Sequence, residues 1–232
     1  MVLAAGLGKR MRPITETIPK PLIKIAGRTL IDRCLDLLAA AGVETAVVNV
    51  HHLGHLLVAH LRDRARPTVR ISDETELLLD SGGGIVKALP YFGPDPFLVL
   101  NADTFWLDQQ GSGLKRLAAA WDDARMDILL LLARHEQAVG HEGPSDFLLG
   151  PDGRLSRAAG RSDGMIYAGA AIVHPRIFVN APRGPHSLNL QFDWALKDRR
   201  LFGVPLEECW ITVGTPDAIA PAEAAVAVCE SG

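Results

Sequence analysis

The chain has 232 residues, enough to bury the core of one domain. Apolar residues make up 48% and charged residues 22%, an ordinary globular composition that excludes a chain disordered throughout. Lysine and arginine number 24 against 27 acidic residues, a formal net charge of −3, which excludes a general nucleic-acid-binding protein because such proteins carry a basic excess.

The cysteines and the apolar runs bear on the cellular compartment. Cys34, Cys209 and Cys229 are scattered and form no CxxC pair, which argues against a disulfide framework or a structural zinc site. No apolar run reaches about 18 residues, and no charged segment precedes an apolar stretch at the start. We therefore expect no membrane span, no signal peptide and a cytoplasmic location. Whether native residues precede Met1 stays open, since the sequence starts inside what reads as a strand.

Apolar runs alternate with amphipathic segments over the first 135 residues. Strands are predicted at residues 2–5, 45–50, 69–72, 97–100 and 128–133, and helices at 29–41, 53–64, 83–89 and 113–124. Thr29 followed by Asp32 makes a capping-box-like start for the first helix, which Gly42 ends. This order predicts an α/β fold, with a mostly parallel twisted sheet between helices on both faces.

The second part of the chain has a less regular pattern. Shorter, partly antiparallel strands are predicted at residues 146–149, 154–157, 166–173, 201–204 and 209–213, with a helix at 188–199. Thr215 reads as the N-cap of the last helix, with Pro216 at its first position. No linker interrupts the sequence, so residues 1–232 are expected to form a single domain.

Two glycines follow the first predicted strand directly, in Gly6-Leu7-Gly8. Glycines at such a turn let backbone N–H groups approach an anion, and Lys9, Arg10 and Arg12 add cations at the same place. The third glycine of a dinucleotide fingerprint is absent, which disfavours a nicotinamide-dependent dehydrogenase, and the P-loop spacing is absent too. The alternative is a plain strand-to-helix turn with solvated basic residues.

Lys20 stands between Pro19 and Pro21, which predicts a rigid extended segment that aims an ammonium group with little loss of entropy. Asp73, Glu74 and Glu76 form an acidic loop that we interpret as a solvated turn.

Five segments together resemble the sugar-phosphate nucleotidyltransferases. They are L-A-A-G-x-G-x-R-M at residues 3–11, P-K-P-L at 19–22, D-S-G-G-G at 80–84, N-A-D at 101–103 and W-I-T-V-G-T-P at 210–216. The resemblance spans nearly the whole chain. It implies a Rossmann-like, GT-A-like fold, with residues 1–135 as a nucleotide-binding half and 136–232 as a sugar-phosphate-binding half that includes a small antiparallel portion.

The resemblance also implies a reaction. A nucleoside triphosphate and a sugar 1-phosphate would be joined with release of pyrophosphate, by a monomer or a small homo-oligomer. The short length and residues 82–90 are most similar to the branch that joins UTP to N-acetylmuramate 1-phosphate in cell-wall recycling. The branch that joins GTP to mannose 1-phosphate is a similar alternative.

Because the family pattern matches residue by residue, roles can be carried over to this chain as expectations. Arg10 and Lys20 would be catalytic, and Asp103 would bind Mg²⁺, which favours a carboxylate together with substrate phosphates and water. The residues expected to bind the nucleotide are Ala4, Ala5, Gly6, Gly8, Lys9, Gly82, Gly83 and Asn101. Gly82 and Gly83 would let the base and ribose lie against the backbone. Asp146 and Gly169 are expected in the sugar pocket.

One position departs from the family pattern. Where the muramate enzymes have an aspartate that serves as a second metal ligand, this chain has Thr212, and a hydroxyl is a poor substitute for a carboxylate on magnesium. Either Asp103 works with phosphates and water alone, or another acid such as Asp193 takes part. The departure also keeps open a non-catalytic, regulatory protein that binds nucleotide-sugars.

Overall fold

The structure, a computed structural model, describes residues 1–108 and 111–230. Over these ranges the helices are α1 (Leu30–Ala40), α2 (Gly54–Leu61), α3 (Asp80–Ala88), α4 (Ser112–Ala119), α5 (Asn189–Lys197) and α6 (Ile219–Glu230). The strands are β1 (Val2–Leu3), β2 (Lys24–Ile25), β3 (Arg28–Thr29), β4 (Thr45–Val50), β5 (Thr68–Asp73), β6 (Phe97–Asn101), β7 (Thr104–Trp106), β8 (Ile128–Ala133), β9 (Ala138–Val139), β10 (Phe147–Leu149), β11 (Leu155–Arg157), β12 (Ile166–Val173), β13 (Leu201–Pro205) and β14 (Trp210–Thr212).

The central sheet has seven strands in the order β13-β8-β12-β6-β1-β4-β5. All neighbouring pairs are parallel except those made by β12, which runs antiparallel to both β6 and β8. The mostly parallel sheet predicted from the alternating pattern is therefore confirmed. Because β12 and β13 come from the second part of the chain, both parts contribute strands to one sheet.

Apolar side chains fill the space on both faces of this sheet. In β8, Leu129 and Leu131 pack into one core with α1, α2, α4 and α6, whereas Leu130 and Leu132 pack into the other with α3 and α5. A strand that buries both faces reads as a continuous apolar run, as residues 128–133 do. The result is the three-layer arrangement that the sequence predicts.

Smaller sheets flank the central one. β7, β14 and β9 form a three-stranded sheet, β10 pairs with β11, and β2 pairs with β3. The antiparallel pair β10–β11 was expected, but β2, β3, β7 and β9 were not, since strands of two or three residues are too short to show a periodic pattern.

The two predicted helix starts have different outcomes. Thr29 caps α1 as expected, because its Oγ1 accepts a hydrogen bond from the Asp32 N–H at 3.2 Å. The prediction for Thr215 is confirmed in part: Thr215 is the N-cap and Pro216 the first residue of a 3-10 turn, Pro216–Ala218, that leads directly into α6 at Ile219. The Thr215 side chain, however, makes no capping bond. Within the described ranges, no helix is both long and apolar enough to cross a membrane.

Candidate active site

Two adjoining cavities lie where β1, β4 and β6 end, at the edge of the sheet that gathers ligands in such folds. The larger, of about 510 Å³, is lined by Leu3, Ala4, Ala5, Gly6, Lys20, Pro21, Asn49, Leu78, Asp80, Ser81, Asn101, Ala102, Asp103 and Pro185. The smaller, of about 250 Å³, is lined by Gly6, Gly8, Lys9, Arg10, Lys20, Asp103 and Gly214. Gly6, Lys20 and Asp103 line both, so the cavities meet at these residues.

The loop after β1 is held in a fixed shape by hydrogen bonds from residues that follow it closely in the sequence. The Gly8 carbonyl accepts hydrogen bonds from the Met11 N–H at 2.8 Å and from the Thr15 hydroxyl at 2.9 Å. Gly8 has a φ of +60°, and a Cβ there would come within 2.8 Å of Thr15 Cγ2. Met11 is fully buried, whereas Lys9 and Arg10 are exposed. The loop is therefore anchored to the protein interior, while its cations line the smaller cavity.

Gly6 differs from Gly8 because protein packing does not require a glycine there. A Cβ at this position would meet no protein atom within 4 Å, although Gly6 lines both cavities. The backbone at Gly6 is therefore open to close approach by a ligand.

The smaller cavity is completed by a residue from far along the chain. A Cβ at Gly214 would lie 3.5 Å from Arg10 Nη1, and the neighbouring Val213 N–H donates to the Asp103 carbonyl at 3.1 Å. We did not expect Gly214 in the site, although it lies in the W-I-T-V-G-T-P segment that carried the family resemblance. The bond between the residue after β14 and the segment after β6 is what brings it there.

Lys20 and Asp103 form an ion pair at the junction of the cavities. Lys20 Nζ lies 2.6 Å from Asp103 Oδ2, with 12% of the lysine side chain and 35% of the aspartate side chain exposed. The predicted extended conformation of Lys20 was wrong: only Pro19 is extended, and Lys20–Leu22 forms a 3-10 turn. The turn still directs the ammonium to the carboxylate.

Asp103, which lines both cavities, is the candidate ligand for a metal ion at this junction, and Asp80 also lines the larger cavity. Among the described residues, no group of three or more histidine, cysteine, aspartate or glutamate side chains could hold an ion. Magnesium keeps several waters and takes one or two carboxylates together with substrate phosphates, so Asp103 fits such an ion when phosphates are bound. Thr212 pairs with Thr104 between β14 and β7. Asp193 is 61% exposed and pairs with Arg157 at 2.6 Å, so the structure does not bring it to Asp103.

The two residues expected in the sugar pocket lie in different surroundings. Gly169 sits in the irregular part of β12 with a φ of +78°, and a Cβ there would come within 2.4 Å of Thr104 Oγ1 and 3.2 Å of the Asn101 side chain. It therefore packs directly behind Asn101, which lines the larger cavity. Asp146 is exposed and accepts a hydrogen bond from the Tyr167 N–H at 2.8 Å. It lines neither cavity.

The packing around Gly82 and Gly83 gives them a reason to be glycines that the sequence did not show. A Cβ on Gly82 would meet the His186 ring at 2.6 Å, and one on Gly83 would meet the Gly184 carbonyl oxygen at 2.5 Å. Both N–H groups donate to the His186 carbonyl, at 2.9 and 3.1 Å. These glycines thus accommodate residues 184–186, and it is the preceding Leu78, Asp80 and Ser81 that line the larger cavity. A contact of Gly82 or Gly83 with the nucleotide stays a prediction.

The interpretation of Glu74 as part of a solvated turn was wrong. Its side chain is completely buried, and its two carboxylate oxygens accept hydrogen bonds from Asn49 Nδ2 at 2.7 Å and from the Leu79 N–H at 3.0 Å. Asn49 Oδ1 in turn accepts from the Ala4 N–H at 2.7 Å. Asn49 lines the larger cavity, and no sequence pattern singled it out.

Comparison with known proteins relates this geometry to chemistry. The family model described as "MobA-like NTP transferase domain" matches residues 1–189. The chain is 44% identical to the N-acetylmuramate alpha-1-phosphate uridylyltransferase of Caulobacter vibrioides, over 98% of this chain and 96% of that protein. It is 32% identical to the enzyme of the same name from Neisseria meningitidis, over 97% of this chain and 96% of that protein.

Among solved structures, a UDP-glucose pyrophosphorylase complexed with UDP-glucose superposes with a TM-score of 0.78. The match covers 98% of this chain and 97% of that one at 18% identity. This likeness supports the α/β fold with helices on both faces of the sheet.

Proposed function

The chain belongs to the family of MobA-like NTP transferase domains, and on that premise we propose that it joins UTP to N-acetylmuramate 1-phosphate, making UDP-N-acetylmuramate and pyrophosphate. The observation that carries the proposal is the junction of the two cavities, where Lys20 and Asp103 line both. Two anionic substrates meeting at a shared cation and a shared carboxylate is what this reaction requires.

The chemistry needs little proton transfer. An oxygen of the sugar phosphate attacks the α-phosphorus of UTP, the bond from that phosphorus to the bridging oxygen breaks, and pyrophosphate leaves with the electron pair. A phosphate group has its second pKa near 6, so the nucleophile is already ionised near neutral pH. The site must therefore hold two polyanions in line and stabilise charge on the leaving group.

Arg10 and Lys20 would supply that stabilisation from two sides. Arg10 is exposed on the anchored loop and lines the smaller cavity, where a triphosphate would place its leaving phosphates. Lys20 lies at the junction, where the α-phosphate and the sugar phosphate would meet. The open backbone at Gly6 would let phosphate oxygens approach its N–H group. Ala4, Ala5 and Asn101, which line the larger cavity, would contact the nucleoside.

We propose Asp103 as the ligand of a magnesium ion in the substrate complex. Such an ion neutralises phosphate charge and holds the triphosphate in one geometry. Asp103 can offer its carboxylate once a phosphate draws the Lys20 ammonium away, because Lys20 then has another anion to pair with. Thr212 offers no second carboxylate, so substrate phosphates and water would complete the coordination beside Asp103.

The sugar and the compartment follow from the same premise. Two relatives match this chain over nearly their whole lengths, at 44% and 32% identity, and both are named N-acetylmuramate alpha-1-phosphate uridylyltransferase. Their names favour uridylyl over guanylyl transfer. N-acetylmuramate is a sugar of the bacterial cell wall, so the reaction would serve the recycling of wall fragments in the cytoplasm, where UTP is made.

Pyrophosphate release tests the proposal. Purified protein with Mg²⁺ would be assayed against UTP, GTP, CTP and ATP, each paired with N-acetylmuramate, N-acetylglucosamine, glucose and mannose 1-phosphates. Release with UTP and N-acetylmuramate 1-phosphate is expected. Release confined to GTP with mannose 1-phosphate would replace the proposed substrates. Nucleotide binding without release in every pair would mean a regulatory protein.

A further inference from the structure

A chain of buried hydrogen bonds joins two walls of the larger cavity. It runs from the Ala4 N–H through Asn49 and Glu74 to the Leu79 N–H, with distances of 2.7, 2.7 and 3.0 Å. Asn49 is 3% exposed and Glu74 is fully buried, so these polar groups depend on one another for their hydrogen bonds. Ala4 lies on the cavity wall formed by the end of β1. Leu79 lies between Leu78 and Asp80, which form another part of the lining of the same cavity.

The chemistry of the two ends fixes the orientation of every group between them. A backbone N–H can only donate, so the atom of Asn49 that faces Ala4 must be the oxygen, and its NH₂ group must face Glu74. Glu74 therefore receives donors on both sides, from Asn49 and from Leu79. A carboxylate has two oxygens that accept hydrogen bonds, whereas a side-chain amide has one oxygen and one NH₂ group that donates.

The surroundings keep the chain of bonds in one position. A Cβ on Gly84 would come within 2.7 Å of Glu74 Oε1 and 2.9 Å of Asn49 Nδ2, so α3 packs directly against the pair. The Glu74 N–H also donates to the Val50 carbonyl at 2.8 Å, beside Asn49 on β4. Neither side chain can move without displacing α3 or the end of β4.

We propose that Glu74 and Asn49 are positioning residues for nucleotide binding, which set the separation of the cavity walls at Ala4 and at residues 78–81. This inference rests on the proposed function, since it takes the larger cavity as the nucleoside site. The two residues act through the walls and not on the reacting phosphates. Their loss therefore weakens binding of substrate and transition state alike, which raises KM and leaves kcat unchanged.

An amide at position 74 tests the requirement for two acceptors. In Glu74→Gln, the NH₂ group of the new side chain lies against either the Asn49 NH₂ group or the Leu79 N–H, so two donors face each other. Turning the Asn49 amide only moves the conflict to Ala4. The walls must shift to relieve it, because a buried donor without an acceptor is costly. We expect the dissociation constant of UTP and its KM to rise about tenfold, with kcat within about twofold of wild type.

The double variant Glu74→Gln with Asn49→Asp supplies the matched control. The carboxylate that this variant carries at position 49 would accept from the Ala4 N–H and from the new amide at position 74. The oxygen of that amide would accept from the Leu79 N–H, so every donor again has an acceptor and the net charge is unchanged. We expect UTP binding within about threefold of wild type. Asn49→Asp alone places two carboxylates against each other and should bind UTP less well than Glu74→Gln does.

Equilibrium UTP binding and steady-state kinetics, both measured well below the unfolding temperature of each variant, decide the outcome. Normal UTP binding by Glu74→Gln would overturn the inference, and so would a double variant no better than Glu74→Gln. A fall in kcat with KM unchanged would overturn it as well. Wild-type turnover in the substrate matrix is a separate result, so failure of this inference and failure of the proposed function are distinguishable.

Discussion

The two cavities are built on opposite principles. The walls of the larger one are fixed by neutral N–H groups and one buried acid, with Asn49 and Glu74 at most 3% exposed. The smaller cavity is lined by exposed cations on a loop. It shares with the larger cavity the ion pair between Lys20 and Asp103, in which 35% of the Asp103 side chain is exposed. Under the proposed function, position is fixed where the nucleoside, which does not change during the reaction, would bind. Charge is left accessible where the phosphates would react.

This contrast predicts that substitution of the charged residues of the smaller cavity, including Lys20 and Asp103, which it shares with the larger one, affects the rate. Substitution of residues that line only the larger cavity, or that pack behind it, should affect binding or stability. A residue of the larger cavity alone whose loss lowered kcat, or a charged residue of the smaller cavity whose loss unfolded the protein, would break the distinction.

The largest effect is expected at Arg10. Arg10→Ala removes a guanidinium from the leaving phosphates and should lower kcat about 100-fold or more, as loss of a transition-state donor does. Arg12→Ala is the matched control, because Arg12 is an exposed cation on the same loop that lines neither cavity. It should retain kcat within about threefold. Pyrophosphate release measures both, and equal losses would mean that only net charge matters.

Asp103 should rank next. Asp103→Asn is expected to lower the rate about 100-fold at a fixed Mg²⁺ concentration and to raise the Mg²⁺ concentration needed for half-maximal rate. Asp193→Asn should leave both unchanged, because Asp193 pairs with Arg157 at the surface. Initial rates over a Mg²⁺ series test this. A Mg²⁺ requirement altered in Asp193→Asn would reinstate that residue as a ligand.

Two glycines separate stability from binding. Gly83→Ala places a Cβ 2.5 Å from the Gly184 carbonyl and should lower the free energy of unfolding by about 2 kcal/mol. Gly6→Ala meets no protein atom within 4 Å. The free energy of unfolding should change by less than about 0.5 kcal/mol, while the KM for UTP rises. Urea denaturation and kinetics measure the two quantities, and a destabilised Gly6→Ala would show that its surroundings are not open.

The smallest effect concerns the ion pair. In the absence of substrate, the Lys20 ammonium is paired with the Asp103 carboxylate, so a divalent cation must compete with the ammonium for that carboxylate. Lys20→Met should therefore tighten Mn²⁺ binding by the free protein about fivefold, the scale of a partly exposed ion pair. Lys9→Met removes a charge from the same cavity without breaking the pair and should change the affinity less than about twofold. Electron paramagnetic resonance of free Mn²⁺ gives both values. Equal tightening would contradict a specific competition.

The fold could be predicted from the sequence wherever burial leaves a periodic pattern. Residues 128–133 form a strand with both faces buried, so an unbroken apolar run marks it. The loop after β1 that lines the smaller cavity could be located too, because its glycines and cations are neighbours in the sequence. Short strands such as β7 and β9 were missed because their pairing with β14 comes from tertiary contacts and leaves no local signal.

What could not be predicted depends on partners far apart in the sequence. Glu74 looked like a solvated acid because sequence shows its charge and not Asn49, the partner 25 residues away. For Gly83 the sequence offered a ligand contact, which stays a prediction, and did not show the close approach to Gly184, about a hundred positions further on. In both cases the residue type was noticed and the distant neighbour was not.

The presence of both Arg10 and Gly214 in the lining of the smaller cavity has a consequence for how the protein is made. The two residues are separated by roughly two hundred positions, which a ribosome adding about 5–20 residues per second takes on the order of ten to forty seconds to synthesise. The glycine loop therefore emerges from the ribosome well before β14 does. A nascent chain stalled between them has the loop and lacks Gly214, so the smaller cavity is completed only after β14 has been translated.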